Sequence, residues 1–144
     1  MCDAVQFNLS DFTNSQTEQL QNFTTSDGLV TFRHKGKPQL IPFLFSHNLE
    51  LVRWAGTYPL PLLEDGGMSH LRPKPVFIPA EFAITNGVRY KVAPSQIKGI
   101  IVKDRQGSLI YILVRPSSDY FHEMTKSEWE PVYNGEHLYH NALS

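Results

Sequence analysis

One cysteine in 144 residues is too few for an internal disulfide, so the chain is not a disulfide-stapled scaffold. An excess of either charge is also lacking. With 13 Lys+Arg against 14 Asp+Glu and a net charge of -1, no global positive field draws the protein to polyanions, and any nucleic-acid contact has to be local. Long apolar runs are missing: the longest, Leu109 to Val114, falls far short of the ~20 residues needed to span a bilayer, which argues against a membrane partner. The opening MCDAVQFNLSDF has neither the basic start nor the apolar stretch of a secretory signal. Together with the single thiol, this sets the expectation of a reducing, cytoplasmic location. There is no Walker loop, no GxGxxG and no GxSxG, so nucleotide-dependent and esterase chemistry have no anchor. Paired carboxylates, internal repeats, heptads and low-complexity tracts are absent as well, and no cofactor is implied.

What is present suffices for one domain over residues 1–144: 41% hydrophobic and 12% aromatic residues can build a core of ordinary size. Phe12, Gln16, Leu20 and Phe23 are spaced for an amphipathic helix over 9–23, with Ser10 as N-cap. The segments LVTFRH, QLIPFLF and LELVRWAG then predict a three-stranded antiparallel meander, with Pro42 marking an edge or a bulge. Residues 57–75 hold four prolines and a Gly-Gly pair and read as a long surface loop. VFIPAEFAI resumes strand character, and Asn86-Gly87 signals a hairpin turn. IKGIIVKD and SLIYILVRP around RQG form the clearest hairpin. Ser117 or Ser118 can cap a helical turn through DYFHEM, Thr125 and Glu128 have capping-box spacing, and Pro131 stops the helix. The sum is an α+β class, β-rich single domain, in which an antiparallel meander and hairpins form a curved or barrel-like sheet with a few short helices.

Cys2 stands directly behind Met1. Removal of the methionine would expose an α-amine with pKa ~7.7–8.0 beside a thiol with pKa ~8.5. Such a 1,2-aminothiol condenses with an aldehyde: the amine forms a Schiff base and the thiolate closes it to a five-membered ring. The competing reading is that a free cysteine simply packs in the core. A histidine is the natural proton shuttle beside such a nucleophile. His137 and His140 have a spacing a metal can use, and with His122 they form a candidate set, but a zinc site needs three or four ligands of defined geometry and the one thiol lies at the far end of the chain, so no metal is expected. The basic residues cluster weakly, at Arg33 to Lys37, at Arg72 and Lys74, and at Arg89, Lys91, Lys98, Lys103 and Arg105. Brought together by strands, they would track phosphates, with Trp54, Tyr58 or Phe77 as stacking surfaces.

Met1-Cys2, Leu51-Val52-Arg53-Trp54, Phe77-Ile78-Pro79-Ala80-Glu81 and the Ile97 to Val114 hairpin occur in an order that resembles a shortened SOS-response-associated peptidase (SRAP) domain. That family starts Met-Cys-Gly-Arg, ends a strand in Arg-Trp-Gly-Leu-Ile-Pro and later reads Ile-Pro-Ala followed by an acidic residue. The resemblance implies a β-rich fold, single-stranded DNA binding, and a Cys2 that forms a thiazolidine crosslink with the ring-opened aldehyde of an abasic site. It implies Cys2 as nucleophile, His122 as proton shuttle and Glu81 as the nearest acidic position, with Arg53 and Trp54 as strand contacts; Arg72 and Lys74 of the basic clusters complete the expected DNA-binding set. The chain departs from the pattern in ways that predict reduced or lost activity. The family's acid falls on Thr85, no asparagine lies between Trp54 and Phe77, and Asp3-Ala4 stands for Gly-Arg. The alternative is a non-enzymatic interaction module of phage or mobile-element type, binding a protein partner through Leu60, Leu62 and Leu63 of the 57–75 loop.

Overall fold

β-branched runs bounded by turn residues dominate the second half of the chain, and the computed structural model arranges them as a barrel. It describes residues 2–8, 10, 12–13, 15, 18, 28–34, 37–38, 40–45, 48–105, 107–135, 137 and 139. The helix expected over 9–23 lies largely outside the described residues.

The barrel strands are β5 (Leu40–Phe45), β6 (Asn48–Pro59), β7 (Lys74–Ile78), β10 (Ile97–Asp104) and β11 (Gly107–Pro116). They pair in the closed order β10-β7-β5-β6-β11-β10, and β12 (Trp129–Pro131) continues beside the end of β11. The β10–β11 hairpin forms as expected, from Gly99↔Ile112 to Asp104↔Gly107. Pro42 pairs with Leu51, while the ladder between β5 and β7 is confined, among the described residues, to Leu44↔Phe77; the missing proline donor therefore breaks no ladder on that side. Closure depends on the parallel pairing of β6 with β11, which shifts register between Ile110 and Tyr111. Gly56 sits at this bulge with φ 138, a conformation that other residues rarely adopt.

Inside the barrel lie Ile41, Phe43, Trp54, Val76, Ile78, Ile97, Ile110 and Ile112, all essentially without solvent exposure. Burial of each is worth roughly 1.5–3 kcal/mol, which makes this interior the main source of stability. β10 does not alternate cleanly because both of its faces are covered. Ile97 belongs to the interior, whereas Ile100 and Val102 belong to a second apolar cluster on the outside.

A four-stranded sheet, β2-β1-β8-β9, packs against the barrel. It is built from β1 (Ala4–Gln6), β2 (Leu29–Thr31), β8 (Phe82–Thr85) and β9 (Val88–Lys91). Val5, Val30, Ala83 and Tyr90 join the barrel residues in one continuous core. Asn86 and Gly87, with φ 50 and 80, make the β8–β9 turn that the Asn-Gly pair predicts.

The expected meander is corrected. LVTFRH does not run beside QLIPFLF: its first half, β2, pairs with β1, and its second half, β3 (Arg33–His34), pairs with β4 (Lys37–Pro38). The chain bends at Phe32, whose ring meets Trp54 edge-on at 5.2 Å, so packing onto the barrel overrides continuation of the strand. The 57–75 loop is corrected too. Thr57 to Pro59 complete β6, Leu60–Glu64 form helix α1 with Pro61 in its first turn, Ser69–Leu71 form a 3-10 turn, and β7 starts at Lys74.

Ser118 caps helix α2 (Asp119–Thr125), its Oγ accepting from the Phe121 N–H at 3.2 Å. Thr125 ends this helix and starts none: its Oγ1 donates to the Phe121 carbonyl and accepts from the Ser127 N–H, and the chain passes into β12. The capping box and the helix that Pro131 was to stop do not form.

Candidate functional site

Strand β1 lies between β2 and β8, and this pairing carries Cys2 to the end of the four-stranded sheet. Asp3 fixes that end: its N–H donates to the Ile84 carbonyl at 2.8 Å, and its carboxylate accepts from the Asn86 N–H at 2.8 Å. Cys2 itself is 4% exposed, and its thiol donates to the Ala4 carbonyl at 3.4 Å. Burial first, and the Asp3 charge second, push the thiol up to about 12. At neutral pH the thiol is therefore kept protonated. The thiolate is the nucleophile, so Cys2 is held here in its unreactive form.

The buried side chain that meets the thiol is a phenol, Tyr90, not a base. Tyr90 Oη lies 2.9 Å from Thr85 Oγ1, and both side chains are buried. The Tyr90 ring meets Phe121 at 5.2 Å and Tyr139 at 5.9 Å, both edge-on. Tyr139 Oη donates to Glu130 Oε2 at 3.0 Å, so at the 2.6 Å contact between the two phenols Tyr133 is the donor. Glu130, 1% exposed, also accepts from the Ser118 N–H at 2.9 Å and faces Arg115 Nε at 3.4 Å. Burial raises the pKa of Tyr90, Tyr133 and Tyr139, so all three stay protonated.

The two helpers expected for Cys2 are not brought to it. His122 stands on the solvent side of α2, next to the buried Phe121, with its Nε2 3.5 Å from Glu128 Oε1. Glu81 donates its N–H to the Gln6 carbonyl, and its own carbonyl accepts from the Val92 and Ala93 N–H groups. In the register Gln6↔Phe82, Glu81 lies about five residues along the sheet from Cys2, roughly 16 Å. Thr85 hydrogen-bonds Tyr90, the thiol's neighbour, and carries no charge. For the metal set, His137 bonds Ser95 Oγ at 2.9 Å and the Lys91 carbonyl at 3.1 Å, while His140 lies outside the described residues. Among the described residues no group of three or more His, Cys, Asp and Glu is placed to hold a metal ion.

The four residues expected to touch DNA separate. Trp54 is fully buried inside the barrel, with Nε1 donating to the Gly56 carbonyl at 3.1 Å; it is a core residue and offers no stacking face. Arg53 alternates with it and points outward, half-buried, between Leu40 and Leu109. Arg72 and Lys74 do come together, and Lys103 joins them, because the antiparallel register Ile101↔Lys74 carries Lys103 toward Arg72.

These three cations rim a cavity of about 550 Å³ at one end of the barrel. Its floor is apolar, built by Phe43, Val52 and Ile101, and Glu50 stands on the opposite wall. None of the three cations has an ion-pair partner among the described residues. A barrel mouth with an apolar floor and a few convergent charges is a common binding-site architecture.

No helix among the described residues is long and apolar enough to cross a membrane. Comparison with protein-family models, with curated proteins and with solved structures finds no match to this chain.

Proposed function

We propose that the chain is an SRAP-like barrel that binds single-stranded DNA reversibly and has lost covalent capture through Cys2. The observation that carries the reading is the convergence of Arg72, Lys74 and Lys103 on one apolar-floored barrel mouth. A single strand presents both phosphates for these cations and unstacked bases for an apolar surface, which a duplex does not. Loss of the covalent step is supported by the burial of Cys2, by an uncharged Thr85 where the resemblance expects an acid, and by the solvent-facing position of His122. A free thiol kept in the core is in keeping with a reducing, cytoplasmic setting.

The binding test is fluorescence anisotropy of a labelled oligo-dT across a salt series. Three phosphate contacts predict a log–log salt slope of about -2. The Arg72→Ala, Lys74→Ala, Lys103→Ala triple variant should abolish saturable binding at low salt. Equal binding by the triple variant would place the DNA elsewhere or nowhere.

A second reading, protein capture through 57–75, keeps one observation in its favour. Leu62 of α1 is 53% exposed, while Leu60 and Leu63 pack against the second apolar cluster.

A further inference from the structure

On the outer face of the barrel, beside α1, a second cavity of about 590 Å³ is lined by none of Arg53, Arg72, Lys74 or Lys103. Leu60 and Leu63 of α1 form one wall, and Pro75, Phe77, Ile100 and Leu113 form the sheet side. Strand alternation explains the placement: Ile97 and Ile101 of β10 pack with the interior, so Lys98 and Ile100 face out. Ile100 and Leu113 are buried members of the outer apolar cluster, with Leu60 and Leu63 packed on it. The cavity is thus an unfilled continuation of that cluster. Gly67 keeps the turn after α1 close without filling the space. Its N–H donates to the Leu62 carbonyl at 2.8 Å, and a Cβ there would meet Tyr58 Oη and stand 2.7 Å from that carbonyl.

The lining holds one charged side chain and no carboxylate. Lys98 is half-buried and has no ion-pair partner among the described residues; Ser69 supplies the only side-chain hydroxyl. The main chain offers little, because β10 is hydrogen-bonded along this stretch to β7 on one edge and to β11 on the other. An extended peptide therefore has no ladder to join, and a polynucleotide meets a single cation. A ligand that satisfies the site needs an apolar body and one anionic head.

We infer that this cavity binds a medium-chain carboxylate, the alkyl chain extending the Leu60, Leu63, Ile100 and Leu113 cluster and the carboxylate pairing with Lys98. The volume lies in the range of small-molecule sites, and partial desolvation of Lys98 strengthens its attraction for the head group.

Isothermal titration calorimetry of the full chain with decanoate and decyltrimethylammonium below their micelle concentrations, and decanol below its solubility limit, reads the head-group preference directly. Decanoate should bind one per chain, roughly tenfold or more tighter than decanol, with the cation not bound. Lys98→Met keeps the apolar stem and removes the charge, so it should lower decanoate to the level of decanol and leave decanol unchanged; Lys98→Arg should restore the difference. Absence of decanoate binding, equal affinity of the wild-type chain for decanoate and decanol, or a decanoate affinity unmoved by Lys98→Met would overturn the assignment. Should Lys98→Met fail to fold, the head-group series on the wild-type chain decides alone.

Discussion

Tyr90 Oη and Thr85 Oγ1 meet at 2.9 Å, and the same Tyr90 lies against the buried Cys2 thiol, so the thiol's neighbour is a phenol that stays protonated at neutral pH. A thiol in that setting acts as a packing group. Its pKa rises on folding, from the ordinary thiol range of ~8.5–9 to about 12, because the folded state favours the neutral form. The Cys2 contribution to stability is therefore complete below pH 9 and is lost as the pH climbs toward 12. The expected loss is about 1.4 kcal/mol per pH unit for this one proton. Urea unfolding between pH 7 and 11 should give a curve for Cys2→Ala that is shallower than wild type by one proton, the buried tyrosines contributing to both. Parallel curves would mean that Cys2 titrates normally.

Glu50 is the single carboxylate on the wall of the cationic mouth, and it opposes any phosphate held by Arg72, Lys74 and Lys103. Glu50→Gln is expected to tighten binding of an oligo-dT several-fold at low salt, with the gain vanishing as salt screens the site. Anisotropy at two ionic strengths checks both halves of this expectation.

Tyr139 links Tyr133 to Glu130 through two short hydrogen bonds. Tyr139→Phe removes the shared hydroxyl and leaves the buried Glu130 carboxylate short of one donor, at a cost of roughly 1–3 kcal/mol. Thermal unfolding should show a clear drop in Tm with an unchanged far-ultraviolet circular dichroism spectrum.

Leu62 and Leu63 are neighbours in α1 with opposite environments. Leu62→Lys should leave Tm within experimental error of wild type, whereas Leu63→Asp places a charge against the outer cluster and should destabilise by more than about 1 kcal/mol. Loss of a protein partner on Leu62→Lys alone would favour the interaction reading over the DNA reading.

The features written in local chemistry were legible in the sequence. The β10–β11 hairpin follows from two β-branched runs around a tight turn, the Asn86-Gly87 turn from residues that tolerate positive φ, and the start of α2 from the Ser118 cap. Partner choice was not legible, because a period of two gives a strand its faces but not its neighbour. LVTFRH could therefore be split between two pairings by the packing of Phe32 on Trp54. Trp54 was assignable by that same alternation, since it shares a face with Val52 and lies opposite the outward Arg53. The prolines of 57–75 suggested a loop, yet Pro59 ends a strand and Pro61 enters a helix, both positions proline accepts. At the site, Cys2 and the pair Arg72 and Lys74 were visible as residue types. The burial of Cys2, the arrival of Lys103 across the β7–β10 register and the Tyr133, Tyr139 and Glu130 chain depend on contacts distant in sequence.

The most direct measurement is to incubate the protein with single-stranded DNA carrying one abasic site and to run the mixture on native and on heated denaturing gels. Reversible binding through the barrel mouth with a silent Cys2 predicts a shifted band on the native gel that the Arg72→Ala, Lys74→Ala, Lys103→Ala variant loses, and free DNA on the denaturing gel. A heat-stable adduct that forms with the wild-type chain and disappears with Cys2→Ala would contradict it.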